Sequence, residues 1–166
     1  MLRKLLLSTL LLGACGFHLR SALSLPPDLG AVRVVTQDPY SPLRDGLELA
    51  LRQAGADIVP PATADVATLG VLSERWAETP LSVDQFGRAQ EYSLRYAVVF
   101  RLRGADGADL VPQQVVELSR DYVSPPTDAT GTTTEREILA TELRREMSAS
   151  IIRRIDSVVR AEIEKG

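Results

Sequence analysis

The chain has one cysteine and one histidine among its 166 residues, and aromatic residues make up 5% of it. Cys15 has no second cysteine with which to form a disulfide, and with His18 it is too little for the clustered ligands of a zinc site. The sequence also lacks a Gly-x-Ser-x-Gly nucleophile motif and a Gly-rich phosphate loop. We interpret His18 as a packing or locally hydrogen-bonded residue and expect no metal, no cofactor and no enzymatic activity.

An excess of basic residues is also missing. The 19 Lys and Arg residues are outnumbered by 22 Asp and Glu residues, which gives a formal net charge of −3. General nucleic-acid binding usually needs a basic surface, so this balance argues against a nucleic-acid partner. Long apolar runs are equally scarce, because Leu5–Leu12 covers far less than the roughly 20 residues of a membrane-spanning helix.

The N-terminus instead has the composition of a lipoprotein signal. Arg3 and Lys4 precede the apolar run, and the small residues of Leu12-Gly13-Ala14 stand directly before Cys15. We expect residues 1–14 to be removed and Cys15 to carry S-diacylglycerol and N-palmitoyl groups, a stable membrane attachment. Position 16 is not the Asp that retains lipoproteins in the inner membrane, which favours the periplasmic side of the outer membrane. A plain secretory signal or an uncleaved anchor is the alternative.

The sequence after Cys15 predicts a lipidated tether over residues 15–29 and one domain over residues 30–166, the length of an ordinary single domain. Two helices are expected in the domain. The first covers residues 42–54, with Ser41 as its N-cap, and carries an apolar stripe at spacings of three and four. The second runs from Thr134 to about residue 165, with an apolar residue at every fourth position and a capping box at its start.

Four strands are predicted: Ala31–Val35, Val66–Trp76, Tyr92–Leu102 and Val111–Val123. Glu78–Arg88 contains Pro80 and Gly87 and is interpreted as a loop or a wide hairpin. The third strand alternates apolar and polar residues over its whole length, which is typical of an antiparallel sheet with one buried face. The predicted fold is therefore α+β, with two helices packed on one face of a four-stranded mixed, mostly antiparallel sheet.

Arginines cluster in the middle of this otherwise acidic chain. Arg95, Arg101 and Arg103 fall on the polar face of the third strand, and Arg75 and Arg88 bracket the segment before it. One interpretation is an ordinary solvated sheet face. The other is a cationic face for acidic groups such as phosphates, which the planar guanidinium binds through two hydrogen bonds.

The residues at the predicted lipidation site resemble the start of the mature LPS-assembly lipoproteins, the LptE family: Cys15, Gly16, Phe17, His18, Leu19 and Arg20. The entry to the third strand, Gln90-Glu91-Tyr92, and the end of the fourth, Arg120-Asp121-Tyr122, are also similar to the family, as is the order of helices and strands. The resemblance covers nearly the whole chain after Cys15, and the N-terminal hexapeptide is its most specific part.

The resemblance implies a function that the composition does not. Members of this family form a complex with the outer-membrane β-barrel translocon LptD, plug its lumen and assist placement of lipopolysaccharide in the outer leaflet. The resemblance thus implies LptD and lipopolysaccharide as partners and makes Arg75, Arg88, Arg95, Arg101 and Arg103 candidate contacts to them. The alternative is a periplasm-facing scaffold or substrate-binding lipoprotein of another envelope complex, with an envelope hydrolase a more distant third.

Overall fold

The computed structural model describes residues 29–124 and 129–163, with the backbone alone described at residues 129–132 and 162–163. The predicted signal, the lipidation site Cys15 and the motif Gly16–Arg20 lie outside the described residues. Within them, β-branched and aromatic runs form five strands: β1 (Ala31–Val35), β2 (Asp57–Ile58), β3 (Ala67–Val83), β4 (Ala89–Arg103) and β5 (Asp109–Val123). Their order in the sheet is β2-β1-β3-β4-β5.

Two helices cover one face of this sheet: α1 (Pro42–Gln53) and α2 (Ala129–Ile163). Strand β1 runs parallel to β2 and β3, whereas β3, β4 and β5 form long antiparallel pairs. The apolar residues of β4 face the helices and are buried against the stripe of α2, which includes Leu143, Met147, Ile151 and Ile155. The predicted α+β fold, with both helices on one face of a mixed sheet, is confirmed.

The number of strands is five rather than the predicted four. The extra strand is β2, whose two residues pair in parallel with Ala31 and Val32 at the edge of the sheet. Two residues are too short to show an alternating pattern, so sequence periodicity could not reveal this strand.

Of the two predictions for Glu78–Arg88, the hairpin is confirmed, and the loop over the whole segment is wrong. Strand β3 continues to Val83 and β4 begins at Ala89, so only residues 84–88 form the turn. Pro80 is compatible with the strand because β1 pairs with β3 only as far as Gly70, and the pairing with β4 is irregular next to Pro80. Proline is tolerated in such an edge or bulge, where its missing N–H breaks no ladder.

The predicted start of the second helix is also wrong. Helix α2 begins at Ala129, so Thr134 lies inside it and cannot be the N-cap residue of a capping box. Thr and Gly dominate the first residues of α2, and their low helix propensity gives no clear start in the sequence. The apolar stripe farther along the helix is confirmed, since its residues are buried in the core. Burial of such a stripe is the main source of helix stability in a folded protein, so the pattern is visible in the sequence.

Carboxylates on β3 link the sheet to the helices. Glu74 accepts hydrogen bonds from Ser41 Oγ and Tyr96 Oη, each 2.7 Å long, and Ser41 Oγ also accepts from Leu43 N as the N-cap of α1. Trp76 stacks on Tyr96 with 3.9 Å between ring centroids, and the Arg144 guanidinium lies over the indole. Trp76 therefore packs against the core of the domain.

Candidate functional site: the open face of the sheet

The sheet face turned away from α1 and α2 carries four of the five candidate arginines, and we call it the open face. Since alternate strand residues point to opposite sides, the burial of Tyr96, Val98 and Phe100 under the helices puts Arg95 and Arg101 on this face. No helix in residues 29–124 or 129–163 packs over it. The sequence-predicted division of the third strand into an apolar and a polar face is thus what the structure has.

An irregularity in β3 determines which of its side chains reach the open face. Val71 pairs with Phe100 but Ser73 pairs with Val99, so Leu72 is an extra residue in β3. The bulge turns Trp76 towards the helices and puts Arg75, opposite Ala97 of β4, on the open face. Arg75 lies within β3 and not at the border of a loop, as the sequence had suggested.

The five predicted arginines do not form one cluster. Arg88 and Arg101 are 13 positions apart on the β4 side of the hairpin, which corresponds to about 40 Å at ~3.4 Å per residue. Arg88 lies in the β3–β4 turn, whereas Arg101 and Arg103 lie at the opposite end of the sheet and Arg95 between them.

Carboxylates neutralise three of these side chains. Arg95 pairs with Glu117, and Arg103 Nε lies 3.0 Å from Asp109 Oδ1, both as half-exposed pairs. Arg88 Nε lies 2.7 Å from Asp84 Oδ2. Arg75 and Arg101, in contrast, have no carboxylate within salt-bridge distance among the described residues.

The β3–β4 turn is held by Asp84. Its Oδ1 accepts hydrogen bonds from the backbone N–H groups of Phe86 and Arg88, and its Oδ2 accepts from Arg88 Nε. These bonds, the one from Arg88 N foremost, hold the pKa of Asp84 below its ordinary value. The Arg88 guanidinium also lies 5.2 Å from the Phe86 ring centroid, so the Arg88 side chain helps to stabilise the turn.

The tip of the β3–β4 hairpin exposes large apolar side chains. Leu81, Val83 and Phe86 are between 53% and 72% exposed in this part of the molecule. Three such side chains on one hairpin tip are more than the scattered single apolar residues of an ordinary surface.

Sequence reasoning missed Arg33, which joins Arg101 and Arg103 at the far end of the open face. The three side chains line a depression of about 510 Å³, together with Thr36, Gln37, Thr68 and Gly70. We call it the basic depression. The alternation Ala31-Val32-Arg33-Val34 could have indicated it, because burial of both valines sends Arg33 to the opposite face.

Other kinds of site are missing from the described part of the chain. It holds no group of three or more His, Cys, Asp or Glu side chains arranged to bind a metal. Neither described helix has an apolar stretch long enough to cross a membrane.

Residues 29–155 match the lipopolysaccharide-assembly family model LptE. The chain belongs to the LptE family. Among curated relatives, the LPS-assembly lipoprotein LptE of Photorhabdus laumondii is 29% identical over 159 residues, which cover 96% of this chain and 86% of the relative. The LPS-assembly lipoprotein LptE of Pectobacterium atrosepticum is 29% identical over 150 residues, or 90% of this chain and 80% of that one.

Solved structures agree with this LptE assignment. The crystal structure of rare lipoprotein B from Shewanella oneidensis is 25% identical, covers 81% of this chain and 98% of its own, and superimposes with a TM-score of 0.66. The solution structure of lipoprotein B from Nitrosomonas europaea has a TM-score of 0.72 at 24% identity, covering 90% of this chain and 96% of its own, and shows the same fold.

Membership in the family confirms the recognition made from the sequence. The chain is a non-enzymatic envelope lipoprotein of lipopolysaccharide assembly, as expected. The alternative of an envelope hydrolase is thereby excluded.

Proposed function

We propose that this chain complexes with the LptD β-barrel, occupies its lumen as a plug and assists assembly of lipopolysaccharide into the outer leaflet. Membership in the LptE family is the observation that carries the proposal. Two features of the described residues support it: an open sheet face that no helix covers, and a hairpin tip with Leu81, Val83 and Phe86 exposed. Together they offer a polar and an apolar surface to a surrounding partner.

We also propose that Cys15 is lipidated and holds the chain on the periplasmic side of the outer membrane. The basis is the order of basic, apolar and small residues before Cys15. Mass spectrometry of the N-terminal peptide from native protein tests it. The acylated cysteine should be the first residue, and an unmodified Cys15 preceded by Ala14 would contradict the proposal.

The candidate contacts differ in how available they are. Arg75 and Arg101 have no carboxylate partner among the described residues, so both can bind an anion without breaking an ion pair. Arg95 and Arg103 form half-exposed pairs, which contribute only about 0–1 kcal/mol and can exchange partners. Arg88 is the most committed, because Asp84 binds both its backbone N–H and its guanidinium.

Co-purification tests the barrel partnership. The native lipoprotein, tagged at its C-terminus and extracted from outer membranes in mild detergent, should bring LptD with it in a stable stoichiometric ratio. A chain that leaves the membrane without the barrel, or with a different envelope complex, would contradict the proposed function.

A further inference from the structure

We infer that the basic depression, lined by Arg33, Arg101 and Arg103, is a binding site for the phosphate of a phosphorylated sugar headgroup. The inference rests on the proposed function and deepens it, because lipopolysaccharide supplies such headgroups. It concerns the end of the open face that is farthest from the β3–β4 turn.

The register of the sheet brings the three arginines together. Arg33 of β1 pairs with Thr68 of β3, and Thr68 pairs with Arg103 of β4, so the two arginines flank Thr68 in one row. Gly70 and Arg101 form the next row on the same face. Adjacent strands lie about 4.8 Å apart, so the two arginine backbones in the first row are about 10 Å apart, and both side chains line the depression.

Arg33 is held in place by neutral acceptors. Its Nε donates to Thr68 Oγ1 over 2.8 Å, and its Nη1 donates to the carbonyl oxygen of Thr63 over 2.6 Å and to that of Pro61 over 3.3 Å. None of these acceptors cancels the positive charge. The guanidinium is therefore oriented before a ligand binds, which lowers the entropy cost of binding. Its Nη2 makes no hydrogen bond to another described residue and can donate to the ligand.

The charge of the depression is unbalanced. Three arginines line it and no acidic residue does. The nearby carboxylate of Asp109 is outside the lining and pairs with Arg103 through Nε only, in a half-exposed contact. The Arg101 side chain has neither a hydrogen bond nor an ion pair within the described ranges 29–124 and 129–163. A planar guanidinium group suits a phosphate because it can donate two parallel hydrogen bonds, which Arg101 is free to do, whereas Arg33 offers Nη2.

Gly70 gives the depression its floor. A Cβ built there would lie 3.8 Å from Leu72 Cδ2 and 4.0 Å from Arg101 Cγ, which are ordinary contacts. A side chain is thus sterically acceptable at this position, and the glycine leaves open the space between Val35 and Arg101. A volume of about 510 Å³ is within the roughly 300–1,000 Å³ of small-molecule sites, large enough for a sugar phosphate. The side chains of Thr36, Gln37 and Thr68 offer polar groups for sugar hydroxyls.

The experiment measures binding of an acyl-free glucosamine disaccharide bisphosphate to the full lipoprotein in detergent, by phosphorus NMR. Two variants change the site differently: Arg101→Gln removes charge, and Gly70→Val fills the floor without altering charge. Arg52→Gln removes an exposed arginine of α1, which is outside the open face and is not among the candidate contacts, and is the matched control. Circular dichroism and the thermal midpoint establish that each variant folds.

We expect Arg101→Gln and Gly70→Val each to weaken binding at least fivefold and Arg52→Gln to leave it within twofold. The unphosphorylated disaccharide should not bind, and inorganic phosphate should bind more weakly than the bisphosphate. Equal affinity for inorganic phosphate would overturn the assignment to a sugar headgroup. Unchanged binding in both site variants, or equal losses in all three, would overturn the site itself.

These failures are distinguishable from failure of the proposed function. If the site variants bind the bisphosphate normally and still co-purify with LptD, the phosphate site is wrong and the barrel partnership stands. If the unaltered chain fails to co-purify with LptD, the proposed function is wrong whatever the disaccharide does.

Discussion

At the scale of single residues, the chain places polar groups at the edges of its apolar core and satisfies them there. Glu74 and Glu78 both project from β3 towards the helices, and each accepts a hydrogen bond from a tyrosine hydroxyl, Tyr96 and Tyr122 respectively. Arg136 of α2 also reaches Glu78 over 3.0 Å. The tyrosine bonds join β4 and β5 to β3, and Arg136 adds a half-exposed ion pair between α2 and β3. The bonds matter because a carboxylate left unpaired beside the core is costly.

Tyr96 gives a prediction about alkaline stability. Burial, followed by the hydrogen bond to Glu74, raises the pKa of Tyr96 above its ordinary value of 10.0. The folded chain therefore keeps a proton that the unfolded chain loses above pH 10, and the free energy of unfolding falls as the pH rises beyond that value. Tyr96→Phe should make the fall between about pH 8 and pH 11 smaller, measured by urea unfolding at each pH.

Tyr122, whose pKa is raised by burial and by Glu78, keeps part of the alkaline decline in that variant. Tyr40→Phe is the control, because the Tyr40 side chain is 91% exposed. An equal decline in the Tyr96→Phe variant and the unaltered chain would contradict the assignment.

At the scale of elements, the sequence predicts the helices and strands whose buried face repeats over many residues. It misses the features that depend on contacts between segments far apart in the chain. The alternation of β4 and the four-residue spacing in α2 are long patterns imposed by one buried face, so both elements and their faces are predictable. The extent of β3 is not, because Pro80 is acceptable only where β1 has ended. Arg33 is missed for a similar reason: it becomes a neighbour of Arg103 only through the parallel pairing of β1 with β3.

The stripe of α2 gives a prediction about folding stability. Ile151 is fully buried at the centre of the core, so Ile151→Ala should lower the free energy of unfolding by about 2–5 kcal/mol through lost burial and a cavity. Ile138 is on the same helix but 55% exposed, and Ile138→Ala should change stability by less than about 0.5 kcal/mol. Denaturant unfolding of both variants is the measurement; similar losses in the two would show that the stripe is assigned incorrectly.

At the scale of the whole molecule, the two faces of the sheet have different tasks. One face builds the core with α1 and α2, and the other is left with arginines, the basic depression and exposed apolar residues such as Val115. The exposed side chains of Leu81, Val83 and Phe86 at one tip bury little apolar surface and so contribute little to the stability of the monomer. The fold is thus organised to present surface to a partner, in agreement with membership in an assembly family.

Photo-crosslinking in intact outer membranes is the most direct test of whether the chain occupies the LptD barrel. A photoreactive amino acid replaces Phe86 at the hairpin tip or Val115 on the open face, both more than half exposed, in the full lipidated chain. If the chain occupies the barrel, irradiation should yield adducts with LptD from both positions, identified by mass spectrometry. A chain that reaches the outer membrane yet forms no LptD adduct from either position would contradict the claim that it fills the barrel.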